Sequence, residues 1–278
     1  ISRPRPSHFY FLSSKETAAE DHNRMERMEI EGIALDLDIS GKGPPLLYLP
    51  AESYGHLHIP FLDGLSGSWT VYAPRHPGFD GRTPPDDFRR VEDLAYLYLD
   101  LLDALNLDRV VLLGASFGGW IAMEMAIRER SRLSALGLIA PVGVKLSSRE
   151  ERDFTDIFAA PEPENLKILF ADKVPEYAAF SDDEMTQAGL GKQYLAYYGW
   201  KPYLHNPSLA RWLHRINVPT HLVWGSSDGF VGLDYGKRLA SRIPNAKLDV
   251  LPNTGHYPQI EKTAETVSLL TNGPCAAP

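Results

Sequence analysis

From residue 29 onward, short β-branched and leucine-rich runs alternate with longer segments of helical periodicity. A chain that alternates this way must cover both faces of a mostly parallel sheet with helices, so the expected class is α/β. The strand-like runs are Ile33 to Ile39, Leu46 to Leu49, Thr70 to Ala73, Arg109 to Leu113, Leu136 to Ala140, Thr220 to Trp224 and Lys247 to Leu251. The first alternates in and out and ends in the turn Gly41-Lys42-Gly43, as a half-exposed antiparallel strand does; most of the others are short and apolar throughout, as buried parallel strands are. Between them, Val91 to Asn106 repeats leucine at helical spacing, and Gly118 to Arg130 and Leu233 to Arg242 follow the same rule.

Size and composition narrow the function. The 278 residues carry 28 Lys and Arg against 36 Asp and Glu, a formal net charge of −8 that disfavours nucleic acid and anionic membrane surfaces. The single Cys275 allows neither an intrachain disulfide nor a thiolate metal cluster. No apolar run reaches the ~18 residues of a membrane span. The expectation is a soluble, cytoplasmic protein, with an export signal left open because the chain starts at Ile1. Residues 1 to 26 read as an arm or leader and 272 to 278 as a tail.

One interval breaks the alternation. Residues 144 to 215 hold helical and turn material with no convincing strand, between two runs that should be sheet neighbours. They read as a helical cap inserted into a core of residues 27 to 143 and 216 to 271. The insertion is rich in aromatic residues, which suit either its own small core or an apolar wall over a pocket; Tyr194, Tyr198 and Trp200 are the candidates for contact with a substrate.

The sharpest local signal is Gly114-Ala115-Ser116-Phe117-Gly118-Gly119, directly after a strand and directly before a helix. A strained strand-to-helix turn thrusts the serine hydroxyl out of the sheet edge, and glycines are needed where a side chain would strike neighbouring backbone. A serine hydroxyl attacks only when a base takes its proton and a carboxylate orients that base. Later strand ends supply both. Asp228 follows Thr220 to Trp224, and His256 follows Lys247 to Leu251 just before the last helix. Asp234 is the runner-up acid, and a helix-capping role for Asp228 is the competing bland reading. His221 sits at the wrong end of its strand, and the His56-x-His58 pair lacks a third ligand at zinc spacing, so no metal is expected.

With these residues in place, the chain resembles a serine hydrolase of the α/β-hydrolase superfamily over about residues 27 to 271. The segment Ala73-Pro74-Arg75-His76-Pro77-Gly78-Phe79 resembles the family's loop after the fourth strand. The resemblance implies a cofactor-independent acyl-enzyme mechanism on a small-molecule substrate and water. It also implies an oxyanion hole built from the backbone N–H of Phe117 and a second N–H after the third strand. There the sequence departs from the family: the usual His-Gly pair is Pro50-Ala51, and the second donor falls to Glu52. On this reading the Glu52 carboxylate turns away or meets a polar part of the substrate; capping of the next helix is the alternative. The leading expectation is hydrolysis of a small or medium carboxylic ester with apolar groups. A carbon–carbon hydrolase of meta-cleavage-type diketones is the enzyme alternative, and a binding or receptor protein with little turnover is the alternative from another class. Oligomeric state is not legible.

Overall fold

The structure, a computed structural model, describes residues 23–276. Eight strands form one sheet: β1 (Asn23–Ile30), β2 (Ile33–Ser40), β3 (Pro45–Leu49), β4 (Thr70–Pro74), β5 (Val110–Ala115), β6 (Leu133–Ile139), β7 (Thr220–Gly225) and β8 (Ala246–Leu251), in the spatial order β1-β2-β4-β3-β5-β6-β7-β8. From β4 to β8 every neighbouring pair is parallel, while β1–β2 and β2–β4 are antiparallel. The central strand β5 is buried along its whole length, which is why it is written as an unbroken apolar run.

Strand β1 corrects the sequence reading, in which residues 23–26 belonged to the arm. Glu31 and Gly32 both adopt positive φ, the geometry of a two-residue hairpin turn, and pair Ile30 with Ile33. The strand is hard to read because Arg24, Glu26, Arg27 and Glu29 fill half of an edge strand in which, among the described side chains, Met28 and Ile30 are the buried ones. Residues 1–22 of the expected arm lie outside the described residues. The C-terminal tail also differs from expectation: Asn272 ends the last helix, and Cys275 is buried among hydrophobic residues.

Helices α1 (Ile59–Ser66), α2 (Val91–Ala104), α3 (Phe117–Arg128), α4 (Glu162–Leu169), α5 (Asp182–Gly199), α6 (Leu233–Ala240) and α7 (Thr263–Asn272) complete the main architecture. In α2 the buried positions Leu94, Leu97, Tyr98, Leu101 and Leu102 recur at helical spacing and face the core, while Tyr96 faces solvent. Helices α4 and α5 lie between β6 and β7. The chain leaves the core at Gly143–Val144 and returns at His205–Asn206, and these two dipeptides pair as a minimal parallel ladder. The Tyr235 hydroxyl of α6 accepts the Val144 N–H and donates to the Val144 carbonyl, closing the same junction. Among the described residues no helix is long and apolar enough to cross a membrane.

Candidate active site

Ser116 stands between β5 and α3 with φ 48° and ψ −113°, a conformation that side chains rarely adopt. Its N–H donates to Ile139 O at 2.9 Å, and its carbonyl accepts Trp120 N–H at 3.2 Å, so strand and helix together hold the strained residue. The flanking glycine is a packing requirement: a Cβ on Gly118 would lie 2.1 Å from the Leu49 carbonyl oxygen. The helix can start close enough to place Ser116 over the sheet edge only because that side chain is missing.

Two loops from distant parts of the chain converge on this serine. His256 Nε2 lies 2.8 Å from Ser116 Oγ, and His256 Nδ1 lies 2.8 Å from Asp228 Oδ2. The other Asp228 oxygen accepts the N–H groups of Phe230 and Val231 at 2.9 and 2.8 Å, so the carboxylate is fixed on both sides. Ser116 and His256 are 1% exposed and Asp228 7%. Burial pulls the imidazole toward its neutral form, but the charge and hydrogen bond of Asp228, helped by the charge of Glu52, raise its pKa above the ordinary value. The ring is also clamped edge-on between Phe230 and Tyr257, each with its centroid 4.8 Å away. Sequence reading missed both aromatics, although Phe230 lies two residues past the acid and Tyr257 directly follows the histidine. Asp234, the alternative acid, is exposed and pairs with Lys237 instead.

The environment of Glu52 departs from expectation. Its side chain turns inward and is 4% exposed. One carboxylate oxygen accepts the Phe117 N–H at 3.3 Å, the amide expected to serve the oxyanion, and the other accepts the Tyr257 hydroxyl at 2.7 Å. The expected carboxylate turned away from the site is therefore not what the structure shows. A negatively charged side chain is drawn to the amide because that N–H opens α3, where free donors and the helix dipole favour an anion. The preceding loop is braced by His76, which lies 3.0 Å from the Pro50 carbonyl and 2.6 Å from the Tyr98 hydroxyl. Burial lowers the His76 pKa to about 4. The imidazole is then neutral, donating Nε2–H to Pro50 and accepting at Nδ1.

The three aromatic candidates separate. Tyr198 stacks on Phe117 with centroids 6.0 Å apart and donates to the Pro77 carbonyl at 3.0 Å, while Tyr194 packs on Phe79 at 5.9 Å. Trp200 does not join them: it is 56% exposed and packs against Phe158 and Tyr203 on the outer face. It lies two residues past Tyr198 on the helical register, about 200° around the axis, so the two side chains face apart. The His56-x-His58 pair also diverges, His56 toward Glu184 and the buried His58 toward the Tyr48 hydroxyl.

Residues 43–269 match the family model described as the alpha/beta hydrolase family. The chain is 29% identical over 260 residues to a 2-hydroxymuconate semialdehyde hydrolase of a Pseudomonas species, covering 86% of this chain and 89% of the relative. It is 31% identical over 183 residues to a 2-hydroxy-6-oxononadienedioate/2-hydroxy-6-oxononatrienedioate hydrolase of Cupriavidus pinatubonensis, a match spanning 58% of this chain and only 60% of that relative. Among solved structures, naproxen esterase from Bacillus subtilis superposes with a TM-score of 0.72 at 19% identity, covering 90% of this chain and 91% of the esterase. A meta-cleavage product hydrolase superposes with a TM-score of 0.73 at 21% identity, covering 88% and 96%. These likenesses, with the eight-stranded sheet and the strand-turn-helix at Ser116, establish that the chain belongs to the alpha/beta hydrolase family.

Proposed function

We propose that this protein hydrolyses a small carbonyl-containing molecule through an acyl-enzyme on Ser116, with a carboxylic ester as the substrate. The observation that carries the reading is the buried hydrogen-bonded chain Ser116–His256–Asp228. His256 Nε2 accepts the Ser116 proton as Oγ bonds to the carbonyl carbon. As the tetrahedral adduct collapses, the bond to the leaving alcohol breaks and the same proton passes to its oxygen. Water then gives a proton to His256 and bonds to the acyl carbon, the Ser116 ester bond breaks, and Oγ recovers the proton. Asp228 stabilises the imidazolium in both halves. The Phe117 N–H, with the Glu52 N–H as second donor, receives the oxyanion once the Glu52 carboxylate has yielded its place.

Carbon–carbon cleavage is the second reading, and the curated relatives support it: those described above are named as hydrolases of a hydroxymuconate semialdehyde and of oxo-dienedioates. The same proton would then end on carbon. Against it stands Glu52, a buried carboxylate where an anionic dienoate would have to approach. Steady-state assays with p-nitrophenyl esters of rising acyl length and with a 2-hydroxy-6-oxo dienoate, each on wild type and Ser116→Ala, decide between the two. Ester turnover abolished in Ser116→Ala supports the first; turnover of the dienoate alone supports the second. Tight ligand binding without turnover of either class would point to a receptor.

A further inference from the structure

Glu52 belongs to no part of the serine, histidine and aspartate machinery, yet it occupies the amide that the machinery needs. Its two oxygens take the Phe117 N–H and the Tyr257 hydroxyl, and both partners are fully buried. Helix α5 presses on the same loop: a Cβ on Gly191 would lie 2.1 Å from the Glu52 carbonyl oxygen, so the backbone of residue 52 has little room to carry its side chain elsewhere. Glu52 and Asp228 are the carboxylates beside His256, and among the described residues no lysine or arginine forms an ion pair with either; Lys192, next to Gly191 on α5, is paired with Glu162 instead. The nucleophile therefore has two carboxylates and one imidazole as its ionisable neighbours.

We infer that Glu52 is a specificity-determining residue that restricts the site to acyl groups without a carboxylate near the scissile carbonyl, because its own carboxylate holds the Phe117 amide and repels a second anion. The inference rests on the acyl-enzyme reading and narrows it to neutral acyl groups. A neutral carbonyl oxygen displaces the carboxylate from one N–H while the Tyr257 hydroxyl still holds its other oxygen. An acyl group with its own carboxylate brings a like charge into a buried site within a few ångströms of Glu52, where water screens it poorly.

The test measures kcat/KM for a matched pair of p-nitrophenyl esters, the butyrate and the hemisuccinate, on wild type, Glu52→Gln and Tyr257→Phe. In parallel it measures the rate of Ser116 labelling by a p-nitrophenyl alkylphosphonate and by its analogue with a terminal carboxylate, the adduct being located by mass spectrometry. Wild type should prefer the neutral member of each pair by about 100-fold. Glu52→Gln, which keeps the shape and removes the charge, should cut that preference by at least about 10-fold, whereas Tyr257→Phe, which keeps the charge, should retain it. Glu52→Ala replaces the glutamine variant should that one fail to fold. An unchanged preference in the uncharged variant overturns the inference, as does equal loss in Tyr257→Phe. Labelling that shows the charge preference without ester turnover upholds the inference while the ester reading fails; absence of both labelling and turnover overturns the two together.

Discussion

The backbone N–H of His256 donates to the carbonyl of Leu169 at 2.6 Å, so the last residue of α4 holds the loop that carries the candidate base. Helix α4 lies in the insertion between β6 and β7, and through this bond the inserted segment and the histidine position each other. Glu261 extends the tie: its buried carboxylate accepts Gly255 N–H at 2.6 Å, just before the histidine, and Ala171 and Asp172 N–H at 2.9 and 2.8 Å, just after α4.

Replacing Glu261 by alanine should therefore weaken both the fold and the reaction. It leaves at least three backbone donors without their acceptor, each worth about 1–3 kcal/mol if it stays buried and unpaired. Thermal unfolding should shift down by several degrees and kcat should fall, with Glu261→Gln recovering part of each because an amide oxygen can still accept. An alanine variant with wild-type kcat would show that the histidine loop needs no such support.

The pH dependence of turnover follows from the raised pKa of His256. The base must be neutral to accept the serine proton, so activity should fall on acidification through a midpoint above the ordinary 6.5. Both carboxylates facing the ring, Asp228 and Glu52, contribute to that rise. Glu52→Gln should move the acidic limb of kcat/KM for a neutral ester to lower pH. Asp228→Asn should do so with a rate loss of about 10²- to 10⁴-fold. A limb that stays in place in Glu52→Gln would mean that its charge is not felt at the imidazole.

Stability should depend on pH through two other histidines. Burial lowers His58 and His76 to about 4 from an ordinary 6.5, so between those values the unfolded chain binds protons that the folded chain refuses. The sign is a loss of stability as pH falls, up to about 1.4 kcal/mol per pH unit for each histidine. His256 does not offset this slope, because its raised pKa makes its contribution complete below 6.5. Urea midpoints measured at pH 6.5 and pH 5 should drop accordingly, and His58→Phe should remove part of the difference.

Glycines offer a paired test of packing. Gly118→Ala should distort or unfold the protein, since its Cβ would meet both the Leu49 and Pro50 carbonyl oxygens at 2.1 and 2.5 Å. Gly189→Ala should do the opposite. Gly189 is an exposed position within α5 with nothing within 4 Å of its Cβ site, so alanine should stabilise the helix by about 0.5–1 kcal/mol. Calorimetry on both variants separates close contact from helix propensity.

What the sequence determined on its own was written locally. Alternating apolar and helical runs specify a covered parallel sheet, and the glycines around Ser116 mark a strand-to-helix turn, because hydrophobic period and backbone sterics act over a few residues. Asp228 and His256 were legible for a related reason: each follows a readable strand in a parallel sheet, so their loops must leave the same edge as Ser116. Tertiary structure alone decided where the remaining side chains point. Trp200 shares the aromatic character of Tyr198 but faces outward, and β1 becomes a strand only through pairing with β2. Glu52 reads as a polar loop residue until Tyr257, 205 positions along the chain, and the amide of Phe117 meet it in a buried space. Whether a carboxylate faces water or a helix N-terminus depends on which distant donors the fold delivers to it, and no local pattern encodes that.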